Sequence, residues 1–93
     1  MKNLEGFKDA FRRKLNSYET PWSADQRVFH LMEEVGEFAE IILQYQGVKR
    51  PPKSKKDVAV ALGDIIDDVF ALAVLYGIDI EEVLDLVLKN DQN

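Results

Sequence analysis

Apolar residues recur at steps of three and four along four stretches of this chain of 93 residues, and nowhere do they alternate as a strand would. Leu4, Phe7, Phe11 and Leu15 predict a first helix over about residues 4–17. The segment Glu19-Thr20-Pro21-Trp22-Ser23 interrupts it: Pro21 restricts Thr20, and Ser23 can cap the next helix. Val28, Leu31, Val35, Phe38, Ile42 and Tyr45 then draw a long apolar stripe on a second helix, about 24–46, which Gly47 stops. VKRPPKSKK is a loop, since Pro51-Pro52 cannot sit inside a helix. A third helix is expected from near Asp57, as its cap, to about Tyr76, with Gly77 as its end. Asp79 caps a fourth, with Glu81 and Glu82 in its first turn and Lys89 near its end, both suited to the helix dipole. The closing residues NDQN are expected to fray.

The expected fold is therefore all-α: one domain over residues 1–93, with four helices and the two long ones packed antiparallel. The third helix is apolar around much of its circumference, through Val58, Val60, Leu62, Ile65, Ile66, Val69, Phe70, Leu72, Val74 and Leu75. A short chain cannot cover such a helix on every side, so a helical bundle completed by oligomerisation is expected.

Composition narrows the function classes. Hydrophobic residues make up 46% and charged ones 31%, ordinary for a soluble domain. There is no cysteine, which excludes disulfides and thiolate metal sites and fits a cytoplasmic location. No apolar run approaches the roughly 20 residues that cross a bilayer, and MKNLEGFKDAFRRK lacks the apolar core of a secretory signal. A formal net charge of −5 argues against a general nucleic-acid binder. Five of the 12 basic residues nonetheless cluster between Lys49 and Lys56. A basic arm beside acidic helices suits binding an anion through metal ions, although a solvated loop has the same composition.

The acids carry the candidate chemistry. EEVGEFAE on the second helix holds Glu33, Glu34, Glu37 and Glu40. At about 100° per residue, Glu33, Glu37 and Glu40 fall within about 60° of one another, and Glu34 lies between them and the apolar stripe. Like charges at this spacing repel by roughly a few tenths of a kcal/mol per pair. No Lys or Arg intervenes, so a divalent cation is the economical counter-charge. Gly36 costs about 1 kcal/mol in mid-helix, and a close approach by backbone or ligand would explain it. On the third helix GDIIDDVF places Asp64 and Asp68 on one face about 40° apart, with Asp57 on that face two turns earlier and Asp67 to its side. Carboxylates within an apolar helix are costly unless paired, protonated or bound to metal. Mg²⁺ takes hard oxygen ligands and shares them with substrate phosphates, and two such ions can neutralise a triphosphate and activate a water. Acidic helix faces are more often simply solvated, a reading that suits Glu33 and Glu40 better than Glu34 and Asp64.

Two segments resemble a known family. LMEEVGEFAEIIL, residues 31–43, is similar to the first signature of the MazG-like nucleoside triphosphate pyrophosphohydrolases, EExxE on a helix. ALGDIIDDVFALAVLYGIDIEEVL, residues 61–84, resembles the second: ExxD, an apolar helix, a Gly-Ile-Asp turn and a short helix. The resemblance covers about residues 20–90. It implies an Mg²⁺-dependent enzyme that cleaves a nucleoside triphosphate between its α and β phosphates, giving monophosphate and pyrophosphate, as a homodimer or homotetramer. It implies that Glu34, Glu37 and Asp64 are metal ligands, and that Glu33 is a ligand or orients the attacking water. The glutamate of ExxD falls on Ala61. Asp68, one turn beyond Asp64 on the same face, is the preferred replacement, and Asp57 is the second possibility.

Lys53 and Lys56, close before the helix bearing Asp64, are the better candidates for phosphate contacts. Trp22 would stack on a base or, more often for a Trp at a helix junction, pack on the core. Lys89 and Asn90 would reach substrate or form a plain helix end. His30 is expected to be half-buried and structural. The leading function is Mg²⁺-dependent pyrophosphohydrolysis of a nucleoside triphosphate, noncanonical or deoxy among the options, that cleans the nucleotide pool. Ala61 motivates the alternative, a regulatory module that binds Mg²⁺-nucleotide without turnover. A purely structural helical oligomer would leave the interior aspartates without a purpose.

Overall fold

The computed structural model describes residues 3–17 and 22–91. They form α1 (Leu4–Asn16), α2 (Ala24–Tyr45), α3 (Lys55–Leu75) and α4 (Ile80–Asp91), and no strand is present among them. Each helix starts on a side chain that accepts from backbone N–H groups the first turn leaves unpaired. Asn3 accepts from Gly6 N at 2.6 Å. Ser23 and Gln26 form a reciprocal capping box at α2, as do Ser54 and Asp57 at α3. The cap of the third helix therefore lies three residues earlier than the sequence suggests: Ser54 is the cap, and Asp57 answers it from inside the first turn. Asp79 accepts from Glu81 N at 3.0 Å and opens α4 as expected. Gly47 and Gly77 take φ of 78° and 67°, the left-handed turns that end α2 and α3. Asn90 and Asp91, expected to fray, belong to α4. The effect of Pro21 on Thr20 lies outside the described residues.

Three contacts fix the packing. Asp68 of α3 meets Arg27 and His30 of α2, while Ala61, Asp64 and Asp57 lie beside Glu34, Glu37 and Ile41. As α3 advances α2 recedes, so the long helices are antiparallel, as expected. Phe7 and Phe11 of α1 pack on Phe70, with ring centroids 4.7 and 5.8 Å away. Lys14 pairs with Asp67 at 2.9 Å and Lys8 with Asp79 at 3.0 Å, so α1 also runs antiparallel to α3.

The apolar core is small: Phe11, Ala61, Ala71, Ala73 and Ile80 are its buried members among the described residues. The face that α2 turns to α3 is polar, through Arg27, His30, Glu34 and Glu37 with Ile41 and the buried Gln44. The apolar stripe of α2 is left half covered, and Val28, Met32 and Val35 stand exposed on the opposite side with Phe29 beside them. Leu84, Leu86, Val87 and Leu88 of α4 are exposed too.

Candidate functional site

Two clefts open along the seam between α2 and α3, and they share Glu34 and Asp64 as a common wall. The first, about 120 Å³, is lined by Glu34, Glu37, Ile41, Lys53, Asp57, Val60, Ala61 and Asp64. Helical spacing explains the set. Residues 34, 37 and 41 follow one face of α2, and residues 57, 61 and 64 follow one face of α3. Four carboxylates therefore face one groove, with Lys53 from the basic loop as its single cationic lining residue.

Glu34 stands in the wall of both clefts. Partial burial raises its carboxyl above the ordinary value of 4.5, and Glu37, Asp64 and Asp68 push it the same way against the pull of His30. Asp57 moves oppositely. The backbone N–H and hydroxyl of Ser54 donate to its Oδ2 at 2.8 and 3.0 Å and hold it below the usual aspartate range, helped by Lys53 and Lys56. Asp57 thus enters the groove ionised and fixed by its capping box.

The second cleft, about 170 Å³, lies towards α1 and is lined by Phe11, Lys14, Leu15, Arg27, His30, Glu34, Asp64, Asp67 and Asp68. Asp68 is 1% exposed. Arg27 Nη1 donates to its Oδ1 at 3.2 Å, and His30 Nδ1 lies 2.9 and 3.0 Å from its two oxygens. His30 Nε2 is 3.1 Å from Glu34 Oε1. His30, Glu34 and Asp68 each bring a ligand-type atom within 4.8 Å of the others. The Trp22 ring meets His30 edge-on at 4.8 Å and carries the Arg27 guanidinium over its face at 4.8 Å. Arg27 Nε is buried with no hydrogen-bond partner among the described residues.

The residues singled out from the sequence separate accordingly. Glu34, Glu37 and Asp64 converge on one groove with Lys53 and Asp57. Asp68 lies in the adjoining cleft against Arg27 and His30, while Ala61 shares the groove with Asp57, one turn earlier. Glu33 is exposed on α2 and lines neither cleft, and Glu40 pairs with Lys49 at 3.0 Å. Lys56, Lys89 and Asn90 are exposed. Trp22, 43% exposed, packs on Arg27 and His30 and not in the apolar core. Tyr45, on the apolar stripe of α2, and Tyr76, at the end of α3, are exposed in the single chain. Nothing within 4 Å would meet a Cβ at Gly36, so the chain itself makes no close approach there. Sequence reasoning missed Arg27 as a partner of Asp68; its place one helical turn before His30 on the same side as Glu34 was the available signal.

Fold and site together define an all-α domain whose two central helices hold a carboxylate-lined groove. The model of the MazG nucleotide pyrophosphohydrolase domain matches residues 23–91, and the chain belongs to that family. It is also similar to the uncharacterized protein YvdC of Bacillus subtilis (strain 168), 35% identical over an alignment of 66 residues. That alignment covers 62% of this chain and 62% of the length of YvdC. No solved structure matches the chain significantly. Helix α1 lies outside the matched span.

Proposed function

We propose that the protein hydrolyses a nucleoside triphosphate to monophosphate and pyrophosphate with the help of Mg²⁺. The observation that carries this reading is the convergence of Glu34, Glu37, Asp57 and Asp64 on one groove in a chain of the MazG family. The groove fits Mg²⁺ by its acidic lining, four carboxylates against the single Lys53, which offers the hard oxygen donors that the ion prefers. Glu34, Glu37 and Asp64 would hold the metal, with Asp57 in place of the missing glutamate at Ala61 and Asp68 as the further candidate. Bound Mg²⁺ supplies charge neutralisation at the phosphates and a more acidic water.

The protein's own groups do the rest. Lys53 reaches into the groove, where it meets the phosphate chain, and Lys56 reinforces the same charge from the loop. Glu33, next to the ligands but exposed, orients the attacking water or accepts its proton. The water oxygen bonds to the α phosphorus, the bond from that phosphorus to the α–β bridging oxygen breaks, and pyrophosphate leaves. A groove of about 120 Å³ holds phosphates and not a whole nucleotide. Base and sugar contacts must come from elsewhere, with Trp22 and a neighbouring subunit's Lys89 and Asn90 as the candidates. The exposed apolar faces of α2 and α4 support assembly as a homodimer or homotetramer, and the acidic charge argues against nucleic acid as a partner. No described helix is long and apolar enough to cross a membrane.

The test is hydrolysis of a panel of ribo- and deoxyribonucleoside triphosphates with Mg²⁺, separating pyrophosphate from orthophosphate. Pyrophosphate release that is lost in Glu37→Gln and Asp64→Asn is the expected result. Ala61 supports a second reading, a module that binds Mg²⁺-nucleotide without cleaving it. In that case the panel shows no turnover, while Mg²⁺ plus nucleotide still raises the melting temperature.

A further inference from the structure

Asp68 is the most deeply buried large side chain described, 1% exposed in the middle of α3. A carboxylate there is unfavourable unless its charge is matched and its oxygens are hydrogen-bonded. Arg27 and His30, one turn apart on α2, meet both needs. His30 also faces the other way. Its Nδ1 lies against Asp68 and its Nε2 against Oε1 of Glu34, 3.1 Å away. Trp22 bears on the ring edge-on and holds the Arg27 guanidinium across its own face. The imidazole is thus gripped by a buried anion behind it and an aromatic wall beside it, and it presents one nitrogen to a carboxylate of the groove.

We infer that His30 is a positioning residue: the Asp68–Arg27 pair fixes its ring, and the ring fixes the carboxylate of Glu34 for metal binding. Glu34 has three side-chain torsions and would otherwise lose rotamer freedom each time a cation bound. With Oε1 kept in contact with His30 Nε2 at 3.1 Å, part of that loss is taken in advance, and the second oxygen is left for the groove that Glu37 and Asp64 share. Outer partners of this kind orient ligating carboxylates, and their removal typically weakens metal binding by about 10–100-fold. The same geometry argues against His30, Glu34 and Asp68 holding an ion among themselves. A cation there would sit beside the Arg27 guanidinium, which already neutralises Asp68 at 3.2 Å.

This inference rests on the reading of the groove as a metal site, and the experiment separates the two. Because Asp68→Asn would strand Arg27 in the interior, the test is placed on His30, whose side chain is 29% exposed. Mn²⁺ binding to the whole chain is measured by the loss of the free-ion electron paramagnetic resonance signal. Wild type, His30→Ala, His30→Gln and Asp64→Asn are compared, each with helix content checked by circular dichroism. His30→Ala is expected to bind Mn²⁺ about 10–100-fold more weakly. His30→Gln, whose amide N–H lies near the position of Nε2, is expected to recover most of that loss, and Asp64→Asn to bind least. In turnover, His30→Ala raises the Mg²⁺ concentration needed for half-maximal rate and leaves the rate at saturating Mg²⁺ within a few-fold of wild type. Unchanged Mn²⁺ affinity in His30→Ala, with binding lost in Asp64→Asn, overturns the positioning role alone. Loss as complete as in Asp64→Asn, without rescue by Gln, makes His30 a ligand and overturns it as well. Unchanged affinity in Asp64→Asn overturns the metal groove and the inference with it.

Discussion

Single side chains set the charge of this groove. Ala61, 5% exposed, stands among four carboxylates where the family signature has a glutamate. Ala61→Glu would add a fifth. Without metal it should lower the melting temperature, since each like-charge neighbour costs roughly a few tenths of a kcal/mol. With Mg²⁺ the sign should reverse, and calorimetry with and without the ion reads both. Away from the groove, Lys8 is the residue to watch. Its amine is buried against Asp79, Glu5 and Glu81, and the hydrogen bond to Asp79 does most to raise its pKa above the ordinary 10.5. Asp79 is lowered from 3.8 first by the Glu81 N–H and then by Lys8. Stability from the raised lysine is complete below 10.5 and is lost as pH rises through its folded value. Stability from the lowered aspartate is complete above 3.8 and is lost as pH falls through its folded value. The melting temperature should therefore hold a plateau between these limits. In Asp79→Asn, which keeps the cap and drops the charge, both limbs should shallow. Glu34, Glu37 and Asp64 line one groove; helical spacing puts each set on one face of its helix, and it was the family resemblance that singled out these three. Asp68 shares the stripe of Asp64, and only the three-dimensional position of Arg27 and His30 shows that it lies in the adjoining cleft.

At the level of the helices, caps and breaks were readable to within two residues, because Ser23, Gly47, Gly77 and Asp79 act locally. The start of α3 was not, since Ser54 and Asp57 both suit a cap and the sequence cannot say which one accepts first. Ser54→Ala should cost about 1 kcal/mol, as loss of a cap residue usually does. It should also free Asp57, whose Oδ2 takes both Ser54 bonds, and so change Mg²⁺ affinity beyond the loss of helix. Denaturant unfolding and metal titration on the same variant separate the two effects. The apolar stripe of α2 was visible in the sequence, but its destination was not. Periodicity shows that a face is apolar, not whether α3 or another copy covers it.

Taken whole, the chain is too open for its size. Its radius of gyration is 15.4 Å, against about 12 Å for a compact domain of this length. Its accessible surface of 7137 Å² exceeds the roughly 5,500 Å² expected of a folded monomer of 10.7 kDa. The excess is about twice the roughly 800 Å² that each partner buries in an ordinary stable interface. Sedimentation should therefore give a mass that is a multiple of 10.7 kDa. Met32→Asp, on the exposed side of α2 opposite the groove, should shift it towards the single chain and lower the melting temperature.

The buried Arg27–Asp68 pair also has a consequence for how the chain finds this shape. Apolar contacts are forgiving of a slip between two helices, since one Val or Leu replaces another. A charge pair is not. Slide α3 one turn in one direction and Arg27 meets Ala71 while Asp68 faces Glu34; slide it the other way and Asp68 loses its cation. Either misalignment leaves a buried charge uncompensated. The pair therefore favours one register of the hairpin of α2 and α3, a choice that the greasy outer faces could not impose.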